Sequence, residues 1–212
     1  MNSNNTITES IIQNLLAADH PFPQHIEAYN RPYLNAKLRP AAVLIPLLKY
    51  SDHSWHILYT RRTTMVAEHK GQVAFPGGRK NQSDVSAQQT ALREAFEEIG
   101  LNPKDVRILG ELDSLPTVSN FRVVPIVGVI PWPYEFKLHP MEVERIFTLP
   151  LNWLACRENF NIHKREITLP GQSSPQVLEV IHYKPFDGET LWGVSADITM
   201  NLLERLKLTK RK

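Results

Sequence analysis

The chain has 212 residues, 42% of them hydrophobic and 22% charged, with a formal net charge of +2. That composition supplies a sizeable core and argues against disorder, while the small net charge excludes bulk electrostatic binding of nucleic acid and leaves an anionic small molecule free to approach. The single cysteine, Cys156, excludes an internal disulfide and a cysteine-based metal site, fits a reducing cytoplasm, and is expected as a small buried hydrophobe.

The first residues, MNSNNTITES, lack a basic region followed by an apolar core, so no secretory signal is expected. No stretch approaches the ~20 apolar residues needed to cross a bilayer, and the cytoplasm is the expected location. Thr6-Ile7-Thr8-Glu9 has capping-box spacing ahead of Ile11, Ile12, Leu15 and Leu16, which predicts a short helix that packs on the main domain and stops before Pro21. Prolines at 21, 23, 32 and 40 make residues 19–40 an extended connector. Ala41–Leu48 is a β-rich apolar run whose Pro46 predicts an edge position or a bulge, and Trp55–Thr60 follows as its hairpin partner around Ser51–Ser54.

Phe75-Pro76-Gly77-Gly78 reads as a strand end followed by a turn whose glycines present backbone carbonyls. After the loop 79–85, with Ser83 or Asp84 as caps, Ser86–Ile99 reads as a helix closed by a left-handed Gly100 and barred from continuing by Pro103. On that helix Glu94, Glu97 and Glu98 share one face, and Leu92, Ala95, Phe96 and Ile99 the opposite one. Three carboxylates at i, i+3 and i+4 repel by about 0.2–0.5 kcal/mol per pair, which a cation relieves. An oxygen-only ligand set of Glu94, Glu97, Glu98 and a carbonyl of Gly77 or Gly78 suits Mg²⁺ or Mn²⁺ and disfavours zinc. Asp84 is placed to orient Arg93, both then supporting the ligands rather than reacting.

The run Gly78, five residues, Asp84, eight residues, Arg93-Glu94-Ala95-x-Glu97-Glu98-x-Gly100-Leu101 resembles the Nudix box. The Asp at 84 and the spacing before Arg93 depart from the usual pattern in ways that the coenzyme A pyrophosphatase branch shares. Thr60-x-Arg62 and His69-x-Gly71-Gln72-x-x-Phe75-Pro76-Gly77-Gly78 are similar to the same branch, except that Ala67 stands where a further arginine is usual. The resemblance, spanning roughly residues 40–205, implies an α/β fold: an α/β/α sandwich with a mixed sheet and a loop-helix-loop metal site. It also implies metal-dependent cleavage of the diphosphate of coenzyme A or its derivatives, giving 3′,5′-adenosine bisphosphate and 4′-phosphopantetheine. Arg62 and His69 are then the candidates to hold substrate, and Glu97 a catalytic carboxylate as well as a ligand. ADP-ribose or another nucleoside diphosphate derivative is the alternative substrate, and a catalytically silent nucleotide-sensing or partner-binding module the alternative class.

Further along, Val106–Leu115 and the apolar Val123–Ile130 read as strands, the second central, with the loop Pro116–Asn120 facing substrate in a Nudix-like fold. His139–Glu144 delivers Glu142, the candidate carboxylate from outside the box, as a further ligand or as the base that activates water. Pro150–Glu158 reads as a short helix with Leu151, Trp153 and Leu154 inward, and Asn161–Leu169 with Val177–Tyr183 as a hairpin. Leu191-Trp192-Gly193 opens a closing helix through Leu206 and also resembles the branch. Apolar positions on the two terminal helices serve either packing within the chain or a homodimer. The expected organisation is a helix and connector over 1–39, the catalytic domain over 40–207 and a basic tail over 208–212.

Overall fold

The computed structural model describes residues 7–18, 37–63, 71–168 and 174–209. His69 and Ala67 lie outside the described residues, as does Thr6. The helix α1 (Glu9–Ala17) is capped by Thr8, whose hydroxyl accepts from the Ile11 N–H, so the cap stands two residues later than the capping-box spacing placed it. Its apolar face is used inside the chain: Ile12 and Leu16 are buried, and Arg205 near the other end of the sequence donates to the carbonyls of Leu15, Leu16 and Ala18.

Strand β1 (Arg39–Lys49) pairs antiparallel with β2 (Trp55–Arg62) through Leu47–Lys49, and along nine residues parallel with β7 (Phe121–Val129). It is therefore central, which corrects the edge position expected from Pro46. The proline is tolerated because β1 changes partner there. Short β3 (Val73–Ala74) pairs with the end of β2, and β4 (Gly77–Arg79) pairs with Ala41–Val43 at the start of β1, so residues 73–79 form a wedge between two diverging strands. The Leu44 N–H donates to the Pro76 carbonyl. Two residues on, the missing N–H of Pro46 faces the same side, in the gap between the β4 and β2 pairings, where no ladder bond is lost.

The sheet is completed by β5 (Arg107–Glu111) and β6 (Leu115–Pro116) on β7, and by β8 (Val143–Pro150) along β2 from His56 to Arg62, with a register shift between Arg61 and Arg62. The single strand expected over 106–115 is thus two, broken at Leu112–Ser114. Helix α2 (Ala87–Ile99) covers one face, where Ala91, Ala95, Ile99 and Leu101 pack with Ala42, Leu44, Leu58 and Ile126. The other face is covered by α1, α3 (Leu151–Ala155) and α4 (Gly193–Arg205), around Tyr59, Ile57, Phe147, Leu202 and Leu203. Strands β9 (Phe160–Ile167) and β10 (Gln176–Tyr183) form a separate antiparallel hairpin whose base is tied to α3, the Tyr183 hydroxyl donating to the Leu154 carbonyl. This is the helix–sheet–helix layering expected from the sequence. Cys156 departs from expectation: it is exposed, its thiol donating to the Glu158 carboxylate.

Candidate active site

Helix α2 starts at Ser86, whose hydroxyl accepts from the Gln89 N–H, and ends at Gly100 with φ 68°. Asp84 is not the cap expected as one possibility. It is buried and collects four donors: Arg93 Nε at 3.1 Å, Arg93 Nη2 and the Thr90 hydroxyl at 3.0 Å, and the Asn81 N–H at 2.8 Å. The arginine bonds dominate and pull the Asp84 carboxyl down to about 2. Thr90 carried no signal of its own in the sequence, although it lies six residues from Asp84 and three from Arg93, on the side of α2 that meets the loop.

The sign of that shift gives a prediction. A carboxyl lowered from its ordinary 3.8 leaves the folded protein binding fewer protons than the unfolded chain, so its stabilisation is complete above 3.8 and is lost as pH falls through about 2. Asp84→Asn is expected to be less stable at pH 7 and to lose less further stability between pH 4 and 2 than the parent, as read from urea unfolding across that range.

Arg93 also reaches forward. Its Nη1 lies 2.8 Å from Glu94 Oε1 and 2.9 Å from Glu97 Oε2, so two of the three clustered glutamates are answered by one guanidinium. Glu98 is separate and buried: its Oε2 accepts the Gly77 N–H at 3.1 Å and its Oε1 stands 3.6 Å from Arg62 Nη1. Among the described residues no three His, Cys, Asp or Glu side chains stand as a ready-made metal cage. The reason is visible, since Arg93 holds two of the oxygens a cation would take.

The electrostatics nonetheless fit an added cation. Burial pushes the Glu98 carboxyl up to about 8, with Glu94 and Glu142 adding to it, and Arg62 and Gly77 fail to offset it. Burial also raises Glu94, and Glu97 and Glu142 push the same way. An oxygen-only set that holds excess negative charge in a half-dry site suits a hard divalent ion.

Four further placements differ from, or extend, the sequence reading. Gly77-Gly78 is a strand rather than a turn, and Gly77 donates its N–H to Glu98. Gly78 lies against Glu94, where a Cβ would sit 2.5 Å from Oε2. Phe96, expected on the core face, is 54% exposed, because Glu98 takes the inward position between Ala91, Ala95 and Ile99. The adjacent arginines of β2 part company as strand alternation requires: Arg62 turns to Glu98, while Arg61 turns to Glu144 and to buried Glu189, which Arg145 shares. Glu142 is half-buried; β8 sets Val143 opposite Arg62 and the Thr63 N–H donates to the Glu142 carbonyl, and its carboxylate is felt at Glu94 and Glu98 across the site.

Arg62 and Gly77 also line a cavity of about 440 Å³ that runs under the loop 117–119 to β10 and the first turns of α4.

Comparison with known proteins agrees with this geometry. A family described as the NUDIX domain matches residues 37–169. An uncharacterized Nudix hydrolase, NudL, of Yersinia pestis (strain Pestoides F) is 32% identical over 191 residues, covering 89% of each chain, and its counterpart in Yersinia pseudotuberculosis serotype O:1b (strain IP 31758) matches equally. Among solved structures, a MutT/nudix family protein from Enterococcus faecalis aligns over 95% of this chain and 75% of its own with a TM-score of 0.51 at 16% identity, a likeness of fold. With the box on α2, the wedge of residues 73–79 beside it and a relative matched along most of its length, the chain belongs to the Nudix hydrolase family.

Proposed function

We propose that the protein cleaves the diphosphate bond of coenzyme A or its derivatives, releasing 3′,5′-adenosine bisphosphate and a 4′-phosphopantetheine. Cleavage of a diphosphate in a nucleoside diphosphate derivative is the general activity that membership of the family carries. The observation behind the reading is buried Glu98, set between the Gly77 N–H and Arg62, with Arg62 opening onto the adjoining cavity.

In this reading Glu94, Glu97 and Glu98, with a carbonyl of the Gly77-Gly78 strand, hold Mg²⁺ or Mn²⁺. That ion supplies charge neutralisation on the diphosphate and acidification of the attacking water. Arg93, oriented by Asp84, supports Glu94 and Glu97 from beside the site rather than reacting itself. Arg62 pairs with a phosphate oxygen through its planar fork, and His69 is proposed beside it. Exposed Glu97 and half-buried Glu142 are the carboxylates at the mouth; Glu142 serves as a further ligand or takes the proton from water. The proposed setting is the cytoplasm; no described helix is long and apolar enough to cross a membrane.

Ala67 in place of an arginine favours a second reading, with ADP-ribose as substrate. The experiment is hydrolysis of coenzyme A, ADP-ribose and NADH in parallel with Mg²⁺ or Mn²⁺, with products separated by chromatography. Preferential release of 4′-phosphopantetheine is expected; preference for ADP-ribose would replace the first reading, and no turnover of any would return the site to a binding role.

A further inference from the structure

Strand β8 breaks its own alternation beside the site. Phe147 and Leu149 pack into the core under α3 and α4, and Ile146 into the core under α2, so a period of two would set Val143 with Arg145 and Phe147 on the α4 side. Val143 packs instead in the α2 core, buried with Ala42, Leu58 and Ile126. The cause is a bulge: Arg61 pairs with Arg145 but Arg62 with Val143, which leaves Glu144 as the extra residue on β8. Val143 thereby stands beside Arg62, whose Nη1 lies 3.6 Å from Glu98 Oε1, and the chain before it turns to the end of α2, where the His139 N–H donates to the Glu98 carbonyl. Arg62 and Glu142 both reach the carboxylate cluster through this irregularity.

On the opposite face the same register sets Arg61 across from Arg145, a like-charge pair of the kind that destabilises a sheet. Three carboxylates answer it. Glu189, only 5% exposed, accepts from Arg61 Nη1 at 3.2 and 3.3 Å and from Arg145 Nη1 at 3.4 Å. The bulged Glu144 sets its Oε2 3.3 Å from Arg61 Nε, and the Asp187 carboxylate takes Arg145 Nη2. Glu189 and Asp187 belong to the turn 186–189, in which Phe186 and Glu189 exchange main-chain bonds at 2.9 and 3.0 Å. Its central residues Asp187 and Gly188 have φ of 52° and 77°, both in the left-handed region that a tight hairpin turn requires. A buried carboxylate on a fixed turn is thus shared between two strands at the point where their register slips.

We infer that Glu189 is a positioning residue for the diphosphate site: by clamping Arg61 to Arg145 it fixes the bulge at Glu144, and the bulge aims Arg62 and carries Glu142 toward Glu94 and Glu98. The inference rests on the roles proposed above for Arg62 and Glu142, and adds the group that sets them from the other face of the sheet.

Glu189→Gln keeps the volume and removes the charge. Amide hydrogen exchange of the metal-free full chain, followed by NMR, reads the bulge directly. Exchange at Thr63 and Val143, whose N–H groups donate to the Glu142 and His139 carbonyls, should quicken at least ~10-fold in Glu189→Gln, while Ile57 and Leu149 farther along the same strand pair keep the parental rate. KM for whichever of coenzyme A and ADP-ribose the parent hydrolyses should rise about tenfold, but less than about twofold when Arg62→Ala is already present, because the displaced arginine is what raises it. Glu144→Gln, at an exposed position, should move both readings the same way by a smaller factor, and decides the matter if Glu189→Gln fails to fold. Unchanged exchange at Thr63 and Val143, exchange quickened evenly over the whole sheet, or an equal rise in KM with and without Arg62 would overturn the assignment, the last two marking a merely structural role. A parent inert toward both substrates would sink the substrate reading, and the exchange rates would still decide whether Glu189 holds the bulge.

Discussion

Replacing Glu98 by Gln is expected to lower turnover of a diphosphate substrate at least ~100-fold, since loss of a metal-holding carboxylate should exceed the 10–100-fold typical of its outer supports. The fold should survive, because the amide fills the same buried space and its oxygen still accepts the Gly77 N–H, 3.1 Å from Oε2 in the parent. A second readout separates this from a merely structural effect. With its carboxyl raised from 4.5 to about 8, folded Glu98 retains a proton that the unfolded chain has released. Linkage then makes the metal-free protein lose stability as pH rises from 4.5 through about 8. Melting temperatures of the metal-free parent should fall across that window, the Glu98→Gln substitution should flatten the profile, and Mg²⁺ or Mn²⁺ should restore the parent at pH 8 without acting on the variant. A folded Glu98→Gln protein with near-parental turnover would remove Glu98 from the mechanism.

The largest effect on the fold is expected from Gly77→Ala. A Cβ there would lie 2.5 Å from the Ala42 carbonyl oxygen and 2.6 Å from the Val43 Cα, both main-chain atoms of the central strand. Neither yields without breaking the β4–β1 pairing at Ala41–Val43, so a loss of about 3 kcal/mol or more is expected from this overpacking. Gly78→Ala, one residue on, meets only the Glu94 carboxylate, at 2.5 Å. The end of a flexible side chain swings away at small cost, about 1 kcal/mol or less, but leaves its place beside the wedge. Denaturant unfolding with parallel activity assays should therefore find Gly77→Ala defective in folding and Gly78→Ala folded but at least ~10-fold less active. Equal stability of the two variants would show that the tight backbone approach at Gly77 is not what the glycine is for.

Much of this molecule is legible in its own sequence wherever the determining interactions are local. The amphipathic period of residues 87–99, the left-handed Gly100 and Pro103 beyond it specify α2, and the hairpin of β9 and β10 follows from two strand-like runs around a turn. The box stands out in the sequence by its resemblance to a family motif, and Arg62 and Glu142 became candidates through the same resemblance. Tertiary structure decided where those groups end up. Periodicity placed Phe96 on the core face and the glutamates together on the other. The sheet instead accepted Glu98 and left Phe96 in solvent, because a wedge some twenty residues earlier offered the Gly77 N–H as a partner and Arg62 as a nearby charge. Pro46 reads as a sign of an edge or a bulge; instead the change of partner along β1 shows how a central strand carries it. The cavity was illegible for the same reason, since its walls come from residues as far apart as Val43 and Ile198. Composition and period set which segments form; pairing between distant strands, fixed by burial of the whole sheet, set which carboxylate is dry and which arginine faces it.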